Sequence, residues 1–176
     1  MIPEALARLS AETSVTYAPH VTLSFTTEPP AVDDVSRAHV VAVTSVGEVV
    51  VCRSVEEWRF LPGGTREPGE SVAELIGREL REEAGYAPTG EPVFLGRYVA
   101  TSVAAAPYRP HLPHPVSSWA YYVVPVGRVG EPLNPADGEH VVEVLALPPA
   151  DAAAWLEAHD PLHADVVRLA LASGLP

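Results

Sequence analysis

The chain has 176 residues, 47% of them hydrophobic, and a net charge of −12 with no lysine. This length suits one globular domain with a buried core, so we expect residues 1–176 to form a single domain. An acidic chain of this kind lacks the basic face that duplex nucleic acid requires, so we do not expect a duplex DNA or RNA partner.

The N-terminal segment and the cysteine content indicate the compartment. Residues 1–15 lack a basic stretch followed by an apolar core, and no run reaches the roughly 18 apolar residues of a membrane span. Cys52 is the single cysteine, which rules out an internal disulfide and suits a reducing environment. We therefore expect a cytoplasmic protein without a membrane partner, with Cys52 packed in the core.

The first third of the chain predicts one helix and three strands. A helix is expected over residues 4–12, and residues 20–25 alternate like a half-buried strand. Residues 26–34 are polar and contain prolines, which predicts a connection. The valine-rich segments 38–44 and 48–53 are separated by a short turn and predict a β-hairpin.

Residues 64–86, GTREPGESVAELIGRELREEAGY, form the most informative segment of the chain. The preceding Leu-Pro-Gly-Gly run predicts a turn that lets the backbone approach another group closely. Ser71 and Glu74 have the spacing of a capping box, which predicts a helix start. Gly85 is placed to end that helix in a left-handed conformation.

Three glutamates continue the apolar face of this predicted helix. Glu79, Glu82 and Glu83 follow the apolar residues of its first two turns at helical spacing. Like charges at this spacing destabilise a helix, and charge facing a core is costly. Carboxylates are ligands of Mg²⁺ and Mn²⁺, and Arg78 can hold one of them through a bidentate pair. The pattern therefore predicts a divalent metal site rather than a solvated acidic face.

The second half of the chain predicts further strands and two closing helices. Strands are expected at residues 92–101, 117–126 and 139–147, and helices at residues 150–159 and 162–172. A mixed sheet with helices on both faces accommodates this order. We therefore predict an α/β fold, which some schemes class as α+β.

A proline-rich loop at residues 103–115 is a candidate substrate-specificity loop. It contains four prolines together with Tyr108 and Arg109. The tyrosine can stack on a base and the arginine can contact a phosphate, so both are candidate substrate-binding residues. A surface loop without a ligand is the alternative, and the sequence leaves it open.

Residues 64–86 resemble the Nudix box, the signature of a family of pyrophosphohydrolases. Every charged and glycine position of the box is present and Leu80 fills its hydrophobic position, whereas Tyr86 stands where an aliphatic residue is more usual. Residues 58–64 also resemble the segment that leads into the box. The resemblance implies a Nudix-type α/β/α sandwich with a mixed central sheet.

The resemblance also implies an activity and a metal site. The activity is attack of water on a phosphorus of a nucleoside diphosphate linked to another moiety, with Mg²⁺ or Mn²⁺ as cofactor. Glu79 and Glu83 are expected to bind the metal, Glu82 to share that task, and the carbonyl of Gly64 to be a further ligand.

The remaining catalytic roles follow from the same resemblance. Arg78 is expected to orient a metal-binding glutamate, and Glu70 to support the arrangement of loop and helix. The general base is either a box glutamate such as Glu82 or a glutamate from a later loop. Glu139, on a predicted turn ahead of a strand, is the preferred candidate outside the box, and Glu143 is a second one.

The resemblance does not identify the substrate. The downstream marks of the subfamilies that hydrolyse ADP-ribose compounds and dinucleoside polyphosphates are absent at residues 102–104. Nucleoside triphosphates, oxidised nucleotides and nucleotide sugars remain open as small-molecule, nucleotide-type substrates. A non-catalytic Nudix module that binds a nucleotide-like ligand is the alternative function. Homodimers are common in the family, so the oligomeric state is open too.

Overall fold

In the computed structural model, residues 4–174 are described, and they form four α-helices and nine β-strands. The strands are β1 (Val21–Thr26), β2 (Val35–Val43), β3 (Val49–Ser54), β4 (Arg59–Phe60), β5 (Gly63–Thr65), β6 (Tyr86–Pro88), β7 (Val93–Ser102), β8 (Val116–Arg128) and β9 (Val141–Leu147). The helices are α1 (Glu4–Ala11), α2 (Val72–Glu79), α3 (Pro149–Glu157) and α4 (Pro161–Ala172), and a π-helical turn (Leu80–Ala84) continues α2.

The strands join in one mixed sheet with the order β1-β7-β8-β2-β3-β4. Strands β5, β6 and β9 pair with β2, β8 and β3 respectively. β2 and β8 run parallel, and the other paired strands of the described residues run antiparallel. The predicted mixed central sheet is confirmed.

Alternate residues of the central strands pack against opposite layers of helices. Val40 and Ala42 of β2 belong to the core cluster that includes the apolar side of α2. Val41 and Val43 belong to the other cluster, which includes residues of α1, α3 and α4. Because both faces of the strand are buried there, its segment Val40–Val43 is continuously apolar. Helices therefore cover both faces, as the α/β/α prediction requires.

The predicted elements are present, with ends that shift by a few residues. β2 begins at Val35 and pairs with β3 only through Ala42 and Val43, so the predicted hairpin is short. The rest of β3 pairs with β9. Strands β4, β5 and β6 were not predicted, because with two or three residues each they are too short to show an alternating pattern. Along residues 4–174, every helix falls short of the length and apolar content that crossing a membrane needs.

Candidate metal centre and catalytic cavity

The helix that carries the glutamates has the two ends that its sequence predicts. The Ser71 side chain accepts a hydrogen bond from the Glu74 amide (3.2 Å), and the Glu74 carboxylate accepts one from the Ser71 amide (2.8 Å). Gly85 ends the π-helical turn with φ of 72°, a conformation that glycine adopts without a Cβ clash. The predicted capping box and the predicted helix end at Gly85 are both confirmed.

Glu79 and Glu83 turn inward from this helix towards β5. The Glu83 carboxylate accepts a hydrogen bond from the Gly63 amide (2.9 Å), and its residue is only 6% exposed. The Glu79 carboxylate packs so closely on Gly64 that a Cβ atom there would overlap it. Two carboxylates are therefore buried against the Gly-Gly backbone, on the core-facing side that the sequence predicts.

Arg78 connects Glu79 and Glu82 to the loop before the helix. Its Nε and Nη2 donate to the two oxygens of Glu70 (2.7 and 3.0 Å), and its Nη1 donates to Glu79 (2.9 Å) and Glu82 (3.2 Å). Burial alone would raise the pKa of Glu70, but hydrogen bonds from Arg78 and from a backbone amide lower it below its ordinary value. The bidentate pair forms with Glu70, and the same guanidinium fixes Glu79.

The protein environment disfavours the charged form of both inner glutamates. Burial raises the pKa of Glu83 well above its ordinary value, and the nearby charges of Glu79 and Glu139 raise it further. Burial also raises the pKa of Glu79, and the charge of Arg78 only partly offsets this. Each carboxylate thus lacks enough positive charge around it to be ionised without cost.

This donor set fits a hard divalent cation. Within residues 4–174, no three His, Cys, Asp or Glu side chains form a ready-made metal cage. Mg²⁺ does not need one, because it usually binds one or two carboxylates and completes its shell with water and substrate phosphates. Glu79 and Glu83, with the tightly packed backbone of Gly64 beside them, provide oxygen donors whose negative charge is only partly compensated.

The carboxylates line an open cavity of about 640 Å³. Glu139, from the turn before β9, lines the same cavity, and burial together with the charge of Glu56 raises its pKa. Glu143 is not among the lining residues; its carboxylate accepts a hydrogen bond from Arg53 (3.0 Å) across β9 and β3. Of the two candidate bases outside the box, Glu139 and Glu143, the structure brings only Glu139 to the cavity.

The loop at residues 103–115 lies at the rim of this cavity and is attached to the turn before α2. Arg109 pairs with Glu67 (2.6 Å), and the Nε2 atom of His111 lies 2.7 Å from the carbonyl oxygen of Arg66. Tyr108 is 81% exposed and lines both the carboxylate cavity and a second cavity of about 480 Å³ beneath the loop. Tyr108 is therefore free to meet a ligand, whereas the guanidinium of Arg109 already has a carboxylate partner.

Arg37, which was not predicted as a site residue, also lines the carboxylate cavity. Its guanidinium carbon lies 5.0 Å from the ring centroid of Trp119 and 5.8 Å from that of Tyr17. Its Nε atom is buried and has no hydrogen-bond partner among the described residues. An arginine within a strand of valines and alanines was the signal available in the sequence.

Comparison with known proteins gives a family match and two similar folds. The family model described as NUDIX domain matches residues 34–170. A mutant form of a Bacillus subtilis pyrophosphohydrolase superposes with a TM-score of 0.54 at 17% identity, over 73% of this chain and 72% of that chain. A NUDIX hydrolase from Nitrosomonas europaea superposes with a TM-score of 0.51 at 17% identity, over 78% of this chain and 88% of that chain. At such identities the likeness shows the fold. No curated protein matches the sequence significantly.

Replacing Glu83 by glutamine removes a buried charge and keeps an oxygen that can accept from the Gly63 amide. The pKa of Glu83 is raised in the folded state, so between the unfolded and folded pKa values the folded protein binds more protons than the unfolded one. The stability of the metal-free wild type therefore falls as the pH rises through this window. We predict that metal-free Glu83→Gln has a higher melting temperature than wild type at about pH 8. Each kcal/mol gained in the free energy of unfolding should raise the melting temperature by roughly 2–4 °C, and the difference should be smaller at about pH 5.

Thermal denaturation in the presence of a chelator measures this effect. Glu131→Gln is the matched control, because the Glu131 side chain is 83% exposed and its charge is solvated. A Glu83→Gln variant that melts at or below the wild-type temperature at about pH 8 would contradict the expected cost of the buried charge.

Proposed function

The chain belongs to the Nudix family of hydrolases, and from that premise we propose that it hydrolyses a nucleoside diphosphate linked to another moiety, using Mg²⁺ or Mn²⁺. One observation carries the proposal. The carboxylates of Glu79 and Glu83 are buried against the Gly63–Gly64 backbone, and they line an open cavity large enough for a small molecule.

Glu79 and Glu83 are the proposed metal-binding carboxylates, with the Gly64 carbonyl as a further ligand. Their raised pKa values favour neutralisation by a bound cation once the pH is high enough to remove the protons. Glu82 is less buried, with a side chain that is 24% exposed, and it shares this task from the cavity side. A bound Mg²⁺ or Mn²⁺ supplies positive charge for the phosphate oxygens and makes a water easier to deprotonate.

Arg78 and Glu70 are positioning residues in this proposal. Arg78 fixes the orientation of Glu79, and Glu70 fixes Arg78 through two hydrogen bonds. Because Glu70 belongs to the loop before α2, the pair also holds that loop against the helix. Their contribution is to keep the carboxylate oxygens in place before any ligand arrives.

Glu139 is the proposed general base. Its carboxylate lines the cavity and its raised pKa brings it closer to neutral pH, where a base accepts a proton most effectively. Glu82 is the second candidate, but it already accepts a hydrogen bond from Arg78. The proton taken from the attacking water would pass to the carboxylate, while the phosphoric anhydride bond breaks on the far side of the phosphorus.

Turnover of a panel of nucleoside diphosphate derivatives tests the metal site. The panel includes triphosphates, oxidised triphosphates, nucleotide sugars, ADP-ribose and dinucleotides, each with Mg²⁺ or Mn²⁺ and with products identified by mass. We predict that the wild type hydrolyses at least one member of the panel and that Glu83→Gln lowers this activity by about 10²-fold or more. Removing a residue that only orients a metal ligand already costs about 10–100-fold, so removing the ligand itself should cost at least as much. Glu143→Gln is the matched control, because Glu143 lies outside the cavity and pairs with Arg53.

Two results would overturn parts of this proposal. A Glu83→Gln variant that hydrolyses the substrate as fast as the wild type would exclude the proposed metal site. Tight Mn²⁺ binding without turnover of any panel member would favour the non-catalytic module that binds a nucleotide-like ligand.

The pH dependence of turnover, measured with the best substrate of the panel, tests which glutamate is the general base. We predict that Glu139→Gln lowers kcat by about 10²–10⁴-fold and removes the acidic limb of the pH–rate profile, because an amide cannot accept the proton. Glu82→Gln is the comparison. Loss of the acidic limb in Glu82→Gln and its retention in Glu139→Gln would transfer the role to the box glutamate.

A further inference from the structure

The cavity of about 480 Å³ beneath the loop at residues 103–115 has no role in the proposed hydrolysis, and we call it the loop cavity. It shares Arg37, Thr65 and Tyr108 with the carboxylate cavity, so a ligand held at the carboxylates can extend into it. Its volume is in the range of small-molecule sites. The loop cavity is therefore placed to receive the part of a substrate that lies beyond the diphosphate.

Backbone contacts at the base of the loop hold the wall of this cavity in place. The Ser102 amide donates to the carbonyl oxygen of Pro115 (2.8 Å), which joins the two ends of the loop. The Val103 amide donates to the carbonyl oxygen of His20 (3.0 Å), which attaches the loop to the segment before β1. Leu112, within the loop, is buried against the cavity. Because the wall is formed before a ligand arrives, binding costs little ordering of the loop.

The loop cavity lacks carboxylates although the chain is acidic. The chain has 23 aspartates and glutamates, and none of them lies among the described residues that line this cavity. Arg37 lines it together with two histidines, so a cationic ligand would meet a like charge and no partner. A lone phosphate would leave the alanine, valine and proline side chains of the wall without contacts. The lining therefore favours an uncharged group.

Hydroxyl groups give this apolar cavity its hydrogen-bonding capacity. Those on its wall belong to Ser36, Thr65, Ser102 and Ser117. Ser36 is the extra residue of a bulge between Val35 and Arg37 in β2, and such bulges redirect side chains next to functional sites. Its hydroxyl oxygen lies 3.1 Å from that of Ser117. Each hydroxyl has one proton and two lone pairs, so the pair can still bond to hydroxyl groups of a ligand.

Aromatic rings complete the wall. The rings of Tyr17 and Trp119 lie 6.2 Å apart with an angle of 18° between their planes, and Tyr108 lies where the loop cavity and the carboxylate cavity meet. An aromatic face is an apolar surface on which the C–H side of a sugar ring can pack. Rings beside hydroxyl groups, without carboxylates, therefore suit an uncharged molecule that is apolar on one side and rich in hydroxyl groups on the other.

We propose that the loop cavity binds the moiety attached to the nucleoside diphosphate, and that this moiety is a sugar. The inference rests on the proposed function and deepens it, because it selects nucleotide sugars from the substrate classes that the sequence leaves open. Water would add across the phosphoric anhydride bond, so that the products are a nucleoside monophosphate and a sugar phosphate.

Binding of analogues that resist hydrolysis tests the proposal without turnover. The base is chosen as the one whose α,β-methylene nucleoside diphosphate binds the Mn²⁺-loaded protein most tightly. With that base, calorimetry compares the glucose, galactose, mannose and ribose esters of the methylene diphosphate with its methyl ester, which has the same anion and no sugar. We predict that at least one sugar ester binds about tenfold or more tightly than the methyl ester. The choline ester, which carries a cation, should bind no more tightly than the methyl ester.

Substitutions in the wall should remove the advantage of the sugar. Ala104 lines the loop cavity, so Ala104→Phe fills it and should bring the ratio of sugar-ester to methyl-ester affinity down to about one. Ala105→Phe is the matched control, because Ala105 is exposed and lies outside the lining. Ser117→Ala removes one hydroxyl and should lower the same ratio by about fivefold. Melting curves check that each variant is folded.

Three results would overturn the proposal. They are equal affinities of the wild type for the methyl ester and every sugar ester, tighter binding of the choline ester than of every sugar ester, and an unchanged ratio in both Ala104→Phe and Ser117→Ala.

Hydrolysis of the corresponding natural anhydrides distinguishes this failure from failure of the proposed function. A protein that hydrolyses the methyl ester of the nucleoside diphosphate but gains nothing from a sugar would keep the hydrolase proposal and lose this one. A protein that binds the sugar ester selectively but hydrolyses no nucleotide sugar would keep the sugar site and lose the hydrolase proposal.

Discussion

The burial of two carboxylates against a glycine pair is the constraint on which the site depends. Glu79 packs on Gly64 with no room for a Cβ atom, and Glu83 accepts a hydrogen bond from Gly63. Gly63 has φ of 154°, and a side chain there would overlap the backbone of Ala38 and His39 in β2. Because the charge of these two carboxylates is only partly compensated, their ionisation lowers the stability of the metal-free fold, and a bound divalent cation would offset that cost.

Asn134 connects the end of the helix to the turn that carries Glu139. The carbonyl oxygen of Glu82 accepts a hydrogen bond from the Asn134 amide (3.1 Å), which satisfies a group that a helix end leaves free. The Asn134 side chain in turn exchanges two hydrogen bonds with the backbone of Val141 (2.8 and 3.0 Å). Asn134 thus connects the turn of the proposed metal-binding glutamates to the strand that follows Glu139. The proposed metal ligands and the proposed base are positioned by a common backbone network.

Local signals in the sequence were enough to predict most of the fold and the inner part of the site. Ser71 and Gly85 mark the helix ends by their own chemistry, and the valine-rich composition of residues 38–44 indicates a strand. The π-helical turn at Leu80–Ala84 was not predicted, because it depends on how the helix end meets its surroundings rather than on propensity. Such turns are frequent at functional sites, and this one carries Glu82 and Glu83.

The outer part of the site could not be predicted because its residues are distant in the sequence. Tyr17, Arg37 and Trp119 meet only through the pairing of β2 with β8 and the return of the chain before β1. For the same reason the sequence could prefer Glu139 to Glu143 only for its position on a predicted turn, and could not show which of the two reaches the cavity. Only the register of β9 against β3 shows that Glu143 lies opposite Arg53.

Anomalous diffraction from crystals soaked in Mn²⁺ tests the central claim most directly, because it locates the ion without relying on activity. The account predicts a peak within bonding distance of carboxylate oxygens of Glu79 and Glu83 and of the Gly64 carbonyl oxygen, with Arg78 still paired to Glu70. The same soak of Glu83→Gln crystals should show a weaker peak or none. A wild-type crystal with Mn²⁺ elsewhere in the cavity, and none at these oxygens, would contradict the account.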